Sequence, residues 1–396
     1  MKQGEFIALS ACTMTLTALG IDIMLPAFAE LRKHFGLTPD STAPAQVITF
    51  FFMGQVAQLL FGVLSDRYGR LAILRIGFPL YILGGVAAAF ASTLPLMYAA
   101  RFVAGMGAAA IFMNTIAGVR DRFVGNQMAR TMSLIFTIFL FTPIFAPFLG
   151  IAILSFANWQ LVFLTPPIIA VIVFLWSLRM EESLPPEKRV PLHWNNITRS
   201  IRTVLTNSTF MRYLGITTIL FTGLSSYVSG SEHIIGEIYK KPALFPWIFG
   251  GMGAVMSICS YINSHFAVRF GARKSIKALL VTYTIVSGAL LALTLIAGDP
   301  PLMPIFFIAL TMLMAINLAV EPNSSSLAME PMGDIAGTAS AVYGTIFFFV
   351  GSALGVVITQ SMKIGVLPLV LGFFIIGLIA LGLVYSDRRQ KTISTR

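Results

Sequence analysis

Gly62-Val-Leu-Ser-Asp-Arg-Tyr-Gly-Arg70 is a polar stretch in a chain built almost wholly of apolar ones. It holds one acid, two arginines and two glycines, and long apolar segments flank it on both sides. Short links of this composition join two membrane helices on the cytoplasmic side. The nine residues are read as such a link, which makes the flanking segments consecutive spans.

Composition agrees with that reading. Of 396 residues, 57% are hydrophobic and 11% charged, whereas soluble domains carry about 25% charged residues. A water-soluble fold of this size would expose a very large apolar surface. Cys12 and Cys259 are far apart, each inside an apolar run, and suggest neither a disulfide framework nor a zinc site. The first apolar run is too long for the core of a cleavable signal. The net charge of +11 does not point to nucleic acid, because the basic residues lie in links between apolar runs, where they set orientation. No Gly-rich phosphate loop, His/Cys ligand cluster or Ser/His/Asp grouping is visible. No enzyme activity, metal, cofactor or ATP use is therefore expected.

A span needs about 20 mostly apolar residues. Twelve are predicted, at 6–28, 45–64, 72–91, 96–118, 131–153, 160–179, 210–233, 245–267, 276–297, 304–328, 337–361 and 366–386. Most external links are short, such as Ser92-Thr-Leu-Pro95 and Gly298-Asp-Pro-Pro301, so the spans they join are antiparallel neighbours. The polar, Pro-containing segment 180–209 divides the chain into six spans plus six. The expected domains are residues 1–179, a cytoplasmic linker 180–209, and residues 210–396 with a short cytoplasmic tail. Within the linker, Asn195–Thr206 fits either a short amphipathic helix on the membrane surface or a flexible connection.

With both termini inside, inner links, tails and helix ends hold 21 of the 27 Lys/Arg, and outer links hold five: Arg32, Lys33, Lys240, Lys241 and Lys363. The positive-inside rule therefore predicts cytoplasmic termini. A weak echo relates the halves. Asp66-Arg-Tyr-Gly69 follows span two, and Val268-Arg-Phe-Gly271 follows span eight without the acid. Repeated halves are common among transporters.

Charges inside spans are expensive and are functional candidates by default. Four stand there: Asp22, Arg101, Glu232 and Glu321. Asp22 lies about 9 Å below the outer end of span one at 1.5 Å per residue. Arg101 enters span four to a similar depth. The two can pair or share a polar network. A carboxylate poised between desolvation and a nearby cation can take up and release a proton; the other reading is a fixed ion pair that holds span one against span four. Glu321 precedes Pro322, which removes a backbone hydrogen bond, so it is either a cation or proton site or a helix-end residue. Glu232 is near the outer end of span seven and can equally belong to a link. Pro143-Ile-Phe-Ala-Pro147-Phe-Leu-Gly150 marks span five as a hinge or gate, or as a tolerated kink.

The whole chain resembles the major facilitator superfamily, and within it the twelve-span drug:proton antiporters of the Bcr/CflA type. Gly62, Leu64, Ser65, Asp66, Arg67, Gly69 and Arg70 match that family's loop signature. Asp22-Ile-Met-Leu-Pro26 looks like its span-one feature, and Arg101-Phe-Val-Ala-Gly105-Met-Gly107 like its span-four feature. Pro143 to Gly150 looks like the antiporter signature of span five. Trp159-Gln-x-Val-Phe163, Pro322-Asn323 and Ala336-Gly-Thr-Ala-Ser-Ala341 are also similar. Phe145-Ala146 departs from the smaller residues of the span-five motif, and Glu321 is not a signature residue.

The resemblance implies an all-α membrane protein with two six-helix bundles. It implies proton-coupled export of small amphipathic compounds by alternating access. Asp66 and the loop arginines would stabilise the outward-facing state, and Asp22 and Arg101 would couple protons to substrate. The expected partners are a small-molecule substrate, protons and the lipid bilayer, with no nucleic acid, and a monomer suffices. The expected location is the bacterial inner membrane. A dedicated metabolite or siderophore exporter, and a proton-symport nutrient importer, fit the same motifs.

Overall fold

The computed structural model of the chain describes residues 1–123, 125–189, 194–363 and 365–386. Among them are twelve long helices and no strand. Span one is Gln3–Asp22, two Ala43–Tyr68, three Arg70–Ala89, four Leu94–Arg122, five Gly125–Leu154 and six Trp159–Ser177. Span seven is Ser208–His233, eight Phe245–Phe270, nine Ala272–Ala297, ten Met303–Met329, eleven Ala336–Ser361 and twelve Leu367–Tyr385. Eleven of these are long and apolar enough to cross a bilayer. Span seven is as long but richer in hydroxyls. Its buried Ser225 and Ser226 donate to the Gly351 and Gly355 carbonyls of span eleven, at 3.4 and 3.2 Å. A polar side chain in lipid needs such a partner.

Spans one to six pack chiefly on one another, and seven to twelve do likewise. The two groups meet along spans two and eleven and along spans five and eight. Small residues allow the tight crossings. A Cβ on Gly84 of span three would lie 2.8 Å from the Ala100 carbonyl of span four, closer than any side chain tolerates. Span two is interrupted by a tight turn at Gln55–Ala57. There the Thr345 hydroxyl of span eleven donates to the Val56 carbonyl and accepts from the Leu59 amide, each at 3.2 Å. One hydroxyl from the second half thus satisfies both backbone groups that the irregular turn leaves over.

One expectation changes. The stretch from Gly62 to Arg70 is not a nine-residue link. The helix runs on to Tyr68, and the next begins at Arg70. Gly69 alone turns the chain, at φ 99° and ψ 159°, a conformation essentially reserved for glycine. Polar residues here do not end the helix; they mark where it emerges from the apolar layer. The segment 180–209 divides. Residues 181–189 fold against the first half, residues 190–193 lie outside the described ones, and Trp194–Thr206 is the amphipathic helix, packed on spans seven and eleven. Arg388, Arg389, Lys391 and Arg396 of the tail also lie outside the described residues.

Candidate functional site

Span one ends at Asp22 and does not run straight to the far face. A short turn over Leu25–Ala27 and a helix from Phe28 to His34 continue it. Pro26 lies four residues after Asp22 and has no N–H for the Asp22 carbonyl, so the helix breaks where the Asp-x-x-x-Pro spacing puts it. The segment beyond is buried at Phe28, Leu31 and Arg32, which places Asp22 deeper than the sequence suggested. Its carboxylate is 5% exposed. Among the described residues it has no hydrogen bond or ion pair.

Arg101 does not pair with it. The guanidinium is 1% exposed and donates to the Gly20 carbonyl at 2.5 Å and to the Val47 carbonyl at 3.4 Å. It also lies 4.4 Å from the centroid of the Phe51 ring. Two carbonyls and an aromatic face take the place of an acid. Arg101 therefore ties span four to spans one and two, and grips span one just before Asp22. Tyr81 of span three donates to the Leu16 carbonyl at 2.6 Å and closes the same corner.

Gly150 of span five sits on this break. A Cβ there would fall on the Ile23 carbonyl and 3.3 Å from the Pro26 ring. On its other side span five meets span eight. A Cβ on Gly250 would lie 3.0 Å from the Ile144 carbonyl, and one on Gly253 would lie 3.6 Å from Pro143. Pro143 and Pro147 stay within one unbroken helix. The stretch from Pro143 to Gly150 is thus held between the break in span one and the second half.

Glu321 lies in span ten, which continues through Pro322 to Met329. It is half-buried and has no hydrogen bond or ion pair among the described residues. The Tyr343 hydroxyl of span eleven is within its electrostatic reach and donates to the Thr217 hydroxyl at 2.9 Å. Asn323 and Asn263 both donate to the Ala319 carbonyl, at 3.0 and 3.1 Å. Glu321 therefore lies near the Tyr343–Thr217 pair of the second half, with its own charge unpaired among the described residues.

Glu232 is placed quite differently. Arg32 Nη2 lies 2.7 and 2.8 Å from its two oxygens and 3.5 Å from Glu237. The Arg32 and Glu232 side chains are 5% and 8% exposed, so this is a buried ion pair between the halves at the face away from the termini. Lys240 adds a 3.6 Å contact to Glu237. Sequence reasoning missed Arg32 and assigned it to an outer link. The signal was available, since Phe28, Leu31, Arg32 and Phe35 share one helical face.

At the termini face the loop residues form a network. Arg70 donates to Asp66 at 2.6 Å, to Ser65 at 3.0 Å and to Asp121 at 3.0 Å. Ser65 also bonds Asn114. The Glu182 carboxylate, also missed in the sequence, accepts from the amides of Arg70, Leu71 and Leu184 at 3.0 to 3.1 Å. It thereby caps the N-terminus of span three, where a negative charge is favoured. A Cβ on Gly69 would fall on Glu182. Asp66 Oδ2 lies 3.4 Å from where a Cβ on Gly337 would stand, so it faces the first turn of span eleven. Gly62 packs against Met113 and Ala341 of that same seam. Arg67 is exposed and unpaired among the described residues. Among those residues no group of three potential metal ligands occurs.

These features recur in known proteins. Residues 10–356 match the family model described as Major Facilitator Superfamily. The chain is 31% identical over 342 residues to the MFS-type transporter YdgK of Bacillus subtilis, covering 85% of this chain and 84% of that one. It is 27% identical over 361 residues to a bicyclomycin resistance protein homolog of Haemophilus influenzae, covering 90% and 89%. It is 25% identical over 338 residues to a chloramphenicol resistance protein of Pseudomonas aeruginosa, covering 83% and 77%. The crystal structure of a D-xylose-proton symporter superposes with a TM-score of 0.73 at 14% identity, covering 96% and 97%. Helices, motifs and relatives agree: the chain belongs to the major facilitator superfamily and is a transporter, not an enzyme.

Proposed function

We propose that this transporter exports small amphipathic compounds in exchange for protons, by alternating access. The observation that carries the reading is Asp22, a carboxylate buried at the break of span one with no cation upon it. Because Arg101 is held by carbonyls, Asp22 can change charge without dissolving an ion pair. In the cycle, substrate entering from the termini side displaces the Asp22 proton. Reprotonation from the far side then expels the substrate. Arg101 fixes the end of span one through Gly20, and Glu321 offers a contact for a cationic part of the substrate.

Residues 1–179 and 210–396 act as two bodies joined by the linker 180–209. Span five, from Pro143 to Gly150, is the bending element between them. Asp66 and Arg70 hold the termini side shut against span eleven, and Arg32 with Glu232 holds the far side. The bacterial inner membrane, cytoplasmic termini and a working monomer complete the proposal. Relatives named for bicyclomycin and chloramphenicol resistance support export.

The test uses purified protein in liposomes under an imposed proton gradient, with drugs and metabolites added while internal pH is recorded. Proton movement opposite to substrate, lost in Asp22→Asn, is expected. Movement in the same direction would replace export by symport. Full coupled transport by Asp22→Asn would overturn the assignment of Asp22.

A further inference from the structure

Spans eight, nine and ten line a groove of about 620 Å³ beside the Gly271 turn. Its walls are apolar and include Ile262, Ala278, Leu279, Met312 and Ile316, with Lys274 at one end. Between spans two, three and four the space is filled by Ala57, Phe61, Ile73, Ala109 and Ala110, with Leu64 and Leu80 against them.

The length of the groove matches one membrane leaflet. From Lys274 to Thr282 span nine rises about 12 Å at 1.5 Å per residue, and half of a hydrocarbon core is about 15 Å. Lys274 is the third residue of span nine, at headgroup depth. Its neighbours are already engaged, Arg273 facing Glu330 at 4.0 Å and Lys277 over the Tyr385 ring at 4.8 Å. Lys274 has no ion-pair partner among the described residues. The polar groups of the walls are satisfied internally: Ser275 donates to Gly271, Thr282 to Ala278 and Asn263 to Ala319. One cation thus stands over an apolar channel that runs through most of one leaflet's hydrocarbon depth of about 15 Å. We infer that the groove holds a phospholipid with an anionic headgroup, its phosphate on Lys274 and one acyl chain between spans eight and nine.

The test measures binding and does not depend on transport. Delipidated full-length protein in neutral detergent is titrated with phosphatidylglycerol or phosphatidylcholine carrying the same acyl chains. Retained lipid is counted by native mass spectrometry and the melting temperature is followed. Phosphatidylglycerol is expected to be retained in preference and to raise the melting temperature more. Lys274→Ala should weaken its retention about fivefold, the effect of one interfacial cation, and leave phosphatidylcholine unchanged. Ala278→Trp, which fills the groove, should remove the retained lipid; Lys274→Glu, on the exposed rim, should reverse the headgroup preference without touching the packing. Equal retention of both lipids by the unaltered protein would overturn the inference. So would a phosphatidylglycerol preference that survives Lys274→Ala and Lys274→Glu. Displacement of the lipid by a transported drug would assign the groove to substrate entry instead.

Discussion

The links after spans two and eight echo one another in sequence and are opposites in their surroundings. Asp66-Arg-Tyr-Gly69 and Val268-Arg-Phe-Gly271 each turn the chain through one glycine, at φ 99° and 82°. In the first, three acids gather: Asp66 and Asp121 on the Arg70 guanidinium, and Glu182 on the amides. In the second, Ala272 stands where Arg70 does, and a Cβ on Gly271 would meet nothing within 4 Å. Arg269 lies 5.5 Å from the neighbouring Phe270 ring. The turn is therefore a property of the glycine backbone alone, while the network of acids is, among the described residues, an addition of the first half. Beside the bare link lies the open groove, and beside the wired one the space is packed. The halves share a topology and divide the work. On the proposed function, the first half locks and holds the proton while the second adapts.

The hardest test of that division is to neutralise the unpaired carboxylate of each half. Asp22→Asn should cut proton-coupled transport about a hundredfold or more, the scale of losing a proton-transfer group. Glu321→Gln should cost roughly tenfold, as for one charge-assisted contact, and should alter the choice among substrates. Both are read as substrate-driven pH change in liposomes. If Glu321→Gln were the more damaging, the proton site would belong to the second half.

The pair that joins the halves comes next. Arg32→Ala leaves Glu232 buried and unpaired, which should destabilise the protein by about 3–5 kcal/mol. Replacing both with apolar residues, as in Arg32→Met with Glu232→Leu, should recover most of that loss. The comparison is made by thermal melting in detergent. A labelling reagent admitted at the far face should modify a cysteine placed near Asp22 faster in the single variant. Equal melting of the single and double variants would show that the pair does not hold the far face closed.

Much of this was legible in the sequence because lipid imposes simple rules. A run of apolar residues must be a helix long enough to cross, so twelve spans and their short connections followed from hydropathy. Asp22, Arg101 and Glu321 stood out by their cost in lipid. Their partners did not follow. Arg101 is buried on carbonyls, and any residue supplies a carbonyl, so no pattern of side chains could reveal it. Glu232 found Arg32 across 200 residues, through a contact between halves that only the folded chain creates. The break after Asp22 was readable from Pro26, yet the helix beyond it looked like a link because it is short and carries three basic residues. Tyr68 and Arg70 looked like a loop for a related reason: helix ends that leave the apolar layer take on loop-like composition while remaining helical.

The paired glycines then separate backbone from network. Gly69→Ala and Gly271→Ala both force an L-residue into a glycine conformation, at about 1–3 kcal/mol each. Only the first also displaces the carboxylate that caps span three. Gly69→Ala should therefore melt lower than Gly271→Ala, and Glu182→Gln placed with it should narrow the gap. Equal melting would mean that Glu182 merely occupies the space.

The smallest effect is the most discriminating between the two links. Arg70→Ala removes bonds to Asp66, Ser65 and Asp121. Because the group is partly exposed, about 1 kcal/mol of stability is at stake. Arg269→Ala, exposed and with a ring as its contact among the described residues, should fall within about 0.5 kcal/mol of the parent. Stability alone would hardly tell them apart, whereas transport should, because Asp66 faces span eleven and is held there by Arg70. Loss of Arg70 frees that carboxylate from a position between the two bodies, so the rate of alternation should change while the melting point barely moves. Arg269 holds no acid among the described residues, and its loss should leave the rate where it was.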